Sequence, residues 1–362
     1  MDLNRQRLLG IVKNRVLCGP RFVSLCMNNY CNNQCLFCNT NSPLVDRSGT
    51  KSSDLAFGLA KKTIDQAAAW GSREVLMTGM GEPTLHPDFV KIAAYIKKKG
   101  LVSTLTTNAL FDKKLFPAVA AVDNVLVNLS APDERLYARL QSPGDKKAFM
   151  RALVNIYALL KLKRPGSPPN VILAFIINSL NYKSVGRMLA LAEKLGVDNI
   201  LFRFVEHKKE TEEMLLSARQ EKELLAIVGR AIKTSRGIRH NLDSIRSTLL
   251  DFDGFYNIDR CYAGWFVAEV GFTGTARICN EKMVVGDLKK DTLENIWRSP
   301  EAQKMRLRLK NNFKKEKAYW GPGCRLCCWH DLNAAIEGAL ERGWKSGLDQ
   351  TFPEDLPVKS NP

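Results

Sequence analysis

Cys31-Asn-Asn-Gln-Cys35-Leu-Phe-Cys38 is the stretch from which the rest of the chain is read. The apolar run Phe22 to Met27 just before it reads as a β-strand, so the cysteines lie on the loop that follows. Cys31 and Cys35 are separated by three residues, and Cys35 and Cys38 by two. Three thiolates so spaced can grip three corners of one iron–sulfur cube and leave the fourth iron without a protein ligand. A zinc loop and three buried thiols are the plainer readings of the same spacing.

Outward from this loop the chain alternates. Ser52 or Ser53 is placed to cap a helix running to about Trp70, with Gly71 as its stop, and Glu74 to Thr78 reads as a strand. Phe89, Ile92, Ala93 and Ile96 form one helical stripe, ended by Gly100 before the strand Leu101 to Thr107. A helix near Asp112 to Val122 leads to the strand Asn124 to Leu129. Phe149, Leu153, Ile156 and Leu160 then lead to Val171 to Ile177, and Val185, Leu189 and Ala192, stopped at Gly196, to Asn199 to Val205. Six strands alternating with helices across Arg21 to Val205 imply a parallel sheet with right-handed crossovers. Its chemistry belongs at the C-terminal ends of the strands, where the cysteine loop lies. A partial barrel and a doubly wound sheet both satisfy this pattern.

Strand alternation puts Thr104, Thr106 and Asn108 on one face, and Asn128 and Ser130 on one face of the next strand, turned toward the interior. Arg203 sits inside an apolar strand, which requires an anionic partner or a substrate. Arg203, Glu206 and His207 are therefore the candidate catalytic, substrate-contacting residues. His86 reads as part of a structural turn.

The pattern C-x3-C-x-aromatic-C, with Phe37 in the aromatic slot, resembles the signature of the radical SAM superfamily. Thr78-Gly79-Met80-Gly81-Glu82-Pro83 resembles that superfamily's GGEP motif, with Met80 between the glycines. The resemblance implies an α/β fold built on a partial (β/α)6 barrel. It implies a 4Fe-4S cluster on Cys31, Cys35 and Cys38, with S-adenosylmethionine (SAM) chelating the open iron. The SAM contacts it implies are Phe37, Gly79, Gly81, Glu82, Asn108, Asn128 and Ser130, with Arg139 paired to the SAM carboxylate.

Cys261 is followed by twelve residues, Gly274, four residues and Cys279. This opening resembles that of the SPASM family of C-terminal domains, as do Gly286-Asp287-Leu288, the Leu293 to Trp297 helix and Arg306. Phe266 to Phe272 and Ala276 to Cys279 read as a hairpin. Cys324 and Cys327, with Cys328 adjacent, complete a quartet, fewer cysteines than a full SPASM domain carries. The resemblance is to the shortened "twitch" form, a small α+β domain with one auxiliary 4Fe-4S cluster on Cys261, Cys279, Cys324 and Cys327; zinc is the alternative occupant of such a quartet. Cys18 and Cys26 are expected to be buried bystanders. The boundaries expected are an N-terminal helical extension at 1–20, the barrel at 21–210, a helical linker at 211–255, the auxiliary domain at 256–345 and a mobile tail at 346–362. Leu8, Leu9, Val12 and Val16 are expected to pack the first helix on the barrel, and Asp331 to Trp344 to cover it.

With 362 residues the chain can bury a large core, and no apolar run approaches the ~20 residues of a membrane span. The N-terminus is broken by charges and is not a secretory signal, so the clustered cysteines read as metal or redox sites in a cytoplasmic protein. The net charge of +17 admits an anionic substrate, nucleic acid or an acidic partner. Lysine groups at 97–99, 146–147, 161–164 and 304–317 read mainly as solvated helix faces, so nucleic acid is not the expected partner. The resemblance implies reductive cleavage of SAM to a 5′-deoxyadenosyl radical, fed by an electron donor such as flavodoxin or ferredoxin. The twitch form implies dehydrogenation of a small, sugar-like or anionic substrate; peptide modification is the enzymatic alternative. From a different class, a zinc-stabilised nucleic-acid binder is the other.

Overall fold

The computed structural model describes residues 2–163, 167–206, 209–250, 259–279, 283–315 and 329–346. Helix α1 (Leu3–Val12) opens the chain, its first N–H groups held by the Asp2 carboxylate. Leu8 and Val16 are buried as expected, but the helix turns Asn4, Arg7 and Ile11 inward in place of Leu9 and Val12. Arg7 causes the difference. Its guanidinium donates to the carbonyls of Gly19 (2.8 Å) and Gly71 (2.6 Å), pinning α1 beneath the first two strands.

Six parallel strands follow: β1 (Phe22–Cys26), β2 (Glu74–Thr78), β3 (Val102–Thr107), β4 (Asn124–Asn128), β5 (Asn170–Ile177) and β6 (Asn199–Phe204). Between them run α2 (Phe57–Ala69), α3 (Phe89–Lys98), α4 (Phe116–Ala120), α5 (Glu134–Leu140), α6 (Ala148–Leu162) and α7 (Val185–Leu195). The strands stand side by side in chain order. A doubly wound sheet reverses its order part-way, so this arrangement is the barrel type. The stripe of α3 is buried at all four expected positions, as are Val185, Leu189 and Ala192 of α7. Gly71, Gly100 and Gly196 take positive φ (81°, 69° and 74°) at the stops before strands.

Two expectations are corrected. Neither Ser52 nor Ser53 caps α2, which starts at Phe57. The preceding residues run beside the chain leaving β1: Leu55 N–H donates to Met27 O (2.8 Å) and Ser53 N–H to Asn29 Oδ1 (2.8 Å). The hairpin near residue 270 is present as β8 (Val267–Val270) and β9 (Thr275–Arg277), with Gly274 in the turn, and β10 (Val284–Asp287) extends it. Its strands nevertheless continue the barrel sheet, because β8 pairs in parallel with β1. The expected linker likewise holds α8 (Ala218–Thr234), α9 (Leu242–Leu250) and the short β7 (Arg239–His240), which pairs with β6. Both pairings satisfy edge N–H and C=O groups that would otherwise stand open. Helix His330–Ser346 occupies the expected final segment, and Trp329 before it packs its ring on Phe22, centroids 5.2 Å apart. The tail beyond 346 lies outside the described residues.

The barrel floor is a chain of polar side chains. Asn170 donates to Asn124 Oδ1 (3.1 Å), Asn124 to Thr104 Oγ1 (3.1 Å), and Thr104 to Glu74 Oε1 (2.6 Å). Burial pushes the Glu74 carboxyl up to about 7, against the pull of the Thr104 hydroxyl, Arg21 and Arg73. Between the ordinary carboxylate value and about 7 the folded protein keeps a proton that the unfolded chain has lost. Stability therefore falls as pH rises through that window. A Glu74→Gln protein is expected to match wild type near pH 5 and to exceed it at pH 8 by ~3 kcal/mol at most. Thermal unfolding of both proteins at the two pH values checks this.

Candidate active site

The loop after β1 is held by the C-terminal end of α5. Gln34 N–H donates to Gln141 O (3.2 Å) and Leu36 N–H to Leu140 O (2.8 Å), while Cys38 N–H closes a turn on Cys35 O (3.0 Å). This brings Cys31, Cys35 and Cys38 to one wall of a cavity at the C-terminal end of the barrel. Two N–H groups point at each sulfur. Cys31 Sγ faces Asn33 N (3.4 Å) and Asn108 Nδ2 (3.6 Å). Cys35 Sγ faces Asn33 Nδ2 (3.6 Å) and Gln141 Nε2 (4.0 Å), and Cys38 Sγ faces Thr40 N (3.4 Å) and Asn41 N (3.1 Å). Donors in such number suit thiolates carrying negative charge onto a metal.

The Cys31 and Cys35 thiols resist ionisation. Burial pushes Cys31 up to about 12, helped by the Glu82 charge, and pushes Cys35 well above the ordinary thiol range, helped by Cys38 and Cys31. A bound cation reverses that balance and releases their protons. Three crowded thiols ringed by N–H donors therefore fit an iron–sulfur cluster.

Beside the sulfurs runs the loop after β2. A Cβ on Gly81 would lie 2.0 Å from Tyr30 O and 2.5 Å from Tyr30 N, so this glycine lets the two loops touch directly ahead of Cys31. The closely approaching backbone is that of the cysteine loop. Asn41 donates to Met80 O, binding the loops again past the sulfurs. The buried Glu82 carboxylate accepts from Thr84 N–H (3.2 Å) and hydroxyl (2.7 Å), Thr107 Oγ1 (2.7 Å) and Asn108 N–H (2.8 Å). Both of its oxygens thus position the ends of β2 and β3. Burial raises its pKa in spite of those donors.

The cavity has a volume of about 200 Å³ and is partly open to solvent. Phe37, Gly79, Gly81, Glu82, Asn108 and Asn128 line it, as expected. The buried Thr106 Oγ1 and Asn33 Oδ1, on residues lining the same space, have no partner among the described residues. Unpartnered polar atoms beside three thiols fit a polar ligand such as the methionyl and ribose parts of SAM. Arg203, Glu206, His330 and Asp331 line the same cavity. Asn39 Nδ2 donates to Glu206 Oε2 at 2.6 Å, linking the end of β6 to the residue after Cys38.

Two expected residues are not brought to the cavity. Arg139 lies on the exposed side of α5 and is not in the lining. Ser130 is fully buried; its N–H donates to Gln141 Oε1 (2.5 Å) and its Oγ accepts from Ile176 N–H (2.9 Å), so it ties β4 to β5 behind the cavity. His207, Cys324, Cys327 and Cys328 lie outside the described residues. Cys261 is buried, with its N–H on Leu309 O (3.1 Å), and Cys279 is half-buried. Cys18 and Cys26 are buried away from the lining, as expected. Asn33, Asn39, Gln141, His330 and Asp331 were not foreseen. Asn33 lies within the quoted cysteine stretch, but the others carried no periodic or motif signal.

Fold and site define an α/β barrel protein that presents three cysteines around one metal position with a ligand cavity beside it. Residues 25–192 match the radical SAM superfamily profile, and residues 261–329 that of an iron–sulfur cluster-binding domain, SPASM: the chain carries a radical SAM domain and a SPASM domain. The first domain implies a 4Fe-4S cluster and SAM, the second auxiliary iron–sulfur binding. The chain is 28% identical over 177 residues to Fe-coproporphyrin III synthase of Methanosarcina barkeri, covering 49% of this chain and 42% of that protein. It is 29% identical over 177 residues to a probable GTP 3′,8-cyclase of Saccharolobus islandicus, covering 48% and 53%. The chain thus spans about half the length of the curated relatives it matches. Among solved structures, Streptococcus suis SuiB bound to S-adenosylmethionine shares the fold (TM-score 0.62, 18% identity, 83% of this chain and 71% of that one). So does anSMEcpe with bound AdoMet (TM-score 0.61, 14% identity, 85% and 88%). No helix among the described residues is long and apolar enough to cross a membrane.

Asn108, just past the C-terminal end of β3, reaches the cysteine loop: its amide meets Cys31 Sγ and Asn32 Oδ1 (2.8 Å). Removing a donor from a cluster thiolate destabilises the reduced, more negative state. Asn108→Ala is expected to bind the cluster and to shift its midpoint potential to a lower value by roughly 30–60 mV, which for a one-electron couple is about 1 kcal/mol, the net contribution of one hydrogen bond. An anaerobic redox titration read by electron paramagnetic resonance checks it.

Proposed function

We propose that this protein cleaves SAM reductively at the Cys31–Cys35–Cys38 site and oxidises a small polar substrate held against Arg203, Glu206 and Asp331. The observation that supports this reading best is the cavity itself, which three donor-ringed cysteines line together with Arg203, Glu206 and Asp331. Cys31, Cys35 and Cys38 would hold a 4Fe-4S cluster that, when bound, would supply one-electron cleavage of SAM and so hydrogen-atom removal from a substrate carbon, with an auxiliary cluster as acceptor for the second electron of the oxidation. The chain's residues do the rest. Phe37 and the Gly79–Gly81 loop shape the cofactor side of the cavity, and the unpartnered Thr106 hydroxyl and Asn33 carbonyl offer it polar contacts. Asn39 holds Glu206 Oε2, which leaves Oε1 to take the proton released as a substrate hydroxyl or amine is oxidised.

The basic charge of the whole chain is not repeated in the cavity. Among its described lining residues, Arg203 stands with the carboxylates Glu206 and Asp331, and no lysine is present. This balance favours a substrate bearing hydroxyl or amino groups over a polyanion. A peptide is the competing substrate class. SuiB has been solved bound to the precursor peptide SuiA, and anSMEcpe with the Cp18Cys peptide.

The test is an anaerobic reaction of iron- and sulfide-reconstituted protein with SAM and dithionite. Formation of 5′-deoxyadenosine is expected. Deuterium transfer into it is expected from labelled polyols or amino sugars; transfer from labelled peptides instead would overturn the substrate class. Glu206→Gln is expected to keep 5′-deoxyadenosine formation without substrate and to lower the rate of substrate oxidation at least ~100-fold.

A further inference from the structure

The cluster position has a second neighbourhood, on the outside of the barrel. Helix α6 carries Met150, Val154 and Tyr157, 52%, 52% and 54% exposed. Spacings of four and three residues put all three on one face. Among the described residues no other helix exposes three large apolar side chains on one face. Lys146 and Lys147 precede this stripe and Lys161 ends it, its ammonium 5.2 Å from the Tyr157 ring centroid. None of these lysines pairs with an acid among the described residues, whereas Arg151 on the flank is paired to Asp145. An apolar stripe bounded by unpaired cations is the pattern of a docking face for an acidic protein.

The inner side of the same helix packs on residues that reach the cysteine loop. Phe149, next to Met150, packs its ring on Tyr137 with centroids 5.5 Å apart. The Tyr137 hydroxyl accepts from Asn33 Nδ2 (3.4 Å), the amide that also reaches Cys35 Sγ. Asn155, on the same inner side, donates to the carbonyls of Ala109 and Phe111, just past Asn108. The exposed stripe is thus one helix thickness, ~10 Å, from the residues that surround the sulfurs.

We propose that the Met150–Val154–Tyr157 face of α6, with Lys146, Lys147 and Lys161, docks an acidic one-electron carrier protein that reduces the first cluster. The carrier loses one electron and the cluster gains it, with no bond made or broken. The inference rests on the cluster of the proposed function, and the test separates the two.

Reconstituted wild type and a variant carrying Val154→Glu, Tyr157→Glu, Lys146→Glu and Lys147→Glu are each mixed anaerobically with dithionite and, separately, with reduced flavodoxin, an acidic flavin protein. Loss of cluster absorbance is followed in stopped flow. The expected result is an unchanged dithionite rate and a flavodoxin rate lowered tenfold or more, with the wild-type flavodoxin rate falling as salt rises. Equal flavodoxin rates, or a wild-type rate indifferent to salt, overturn the proposal. So does a wild-type dimer that the substitutions dissociate, which would assign the face to a second copy. A wild type that dithionite cannot bleach removes the cluster, and with it the function from which this inference starts.

Discussion

Cys35→Ala is expected to fold normally, to hold no 4Fe-4S cluster at the first site and to form no 5′-deoxyadenosine above background. Cys35 is the middle of the three proposed ligands, and the loop closes on it: Cys38 N–H bonds its carbonyl, while Asn33 and Gln141 direct amides at its sulfur. Two of these contacts exist to serve a thiolate, so alanine leaves donors facing a void. Losing a residue that merely supports a ligand lowers metal affinity about 10–100-fold, and losing one of three ligands exceeds that. Cys26→Ala is the matched control. That thiol is buried, lies before the loop and is pushed up to about 11 chiefly by burial. Its removal costs packing, about 1 kcal/mol, and leaves the iron content whole. Iron and sulfide analysis with 5′-deoxyadenosine measurement on both variants decides the matter. A Cys35→Ala protein that still cleaves SAM would remove Cys35 from the site.

The parts of this molecule legible in the sequence are those set by local periodicity. A helical stripe such as Phe89, Ile92, Ala93 and Ile96, closed by Gly100, carries its own signal, and six such units in order leave little freedom for the sheet. The inward polar face of β3 follows for the same reason. Ser130 shows where the argument stops: β4 ends at Asn128, and two residues later strand alternation no longer governs direction. Arg139 fails differently. Burying Tyr137 and Leu140 on the short α5 turns the residue between them outward. The pairing of β8 with β1 joins residues some 245 positions apart, Phe22 and Val267, and nothing local to either strand encodes it. The amides of Gln141 and Asn33 are of this second kind, since their meaning depends on which sulfur the fold delivers to them.

Gly81→Ala is expected to lower iron incorporation at least ~5-fold and the unfolding temperature by several degrees, although residue 81 carries no ligand. An alanine Cβ there would meet Tyr30 O at 2.0 Å, Asn28 Oδ1 at 2.5 Å and Tyr30 N at 2.5 Å. Two of the three are backbone atoms of the residue before Cys31, so relief requires moving the cysteine loop away from the barrel. Overpacking of this kind costs about 1–3 kcal/mol in ordinary cores, where side chains can yield; here the main chain must. The shift would also strain the bond from Glu82 N–H to Tyr30 O (2.9 Å) and that from Asn28 Nδ2 to Glu82 O (2.9 Å). Gly79→Ala is a graded comparison, its nearest contacts being 3.1–3.2 Å, and a smaller loss is expected. Gly58→Ala, in α2 with nothing within 4 Å, is expected to be neutral or stabilising by up to ~1 kcal/mol. Iron content and thermal unfolding of the three proteins, ranked Gly81 below Gly79 below Gly58, would show that the second loop acts on the cluster by setting the position of Cys31. Equal iron content in all three would refute that.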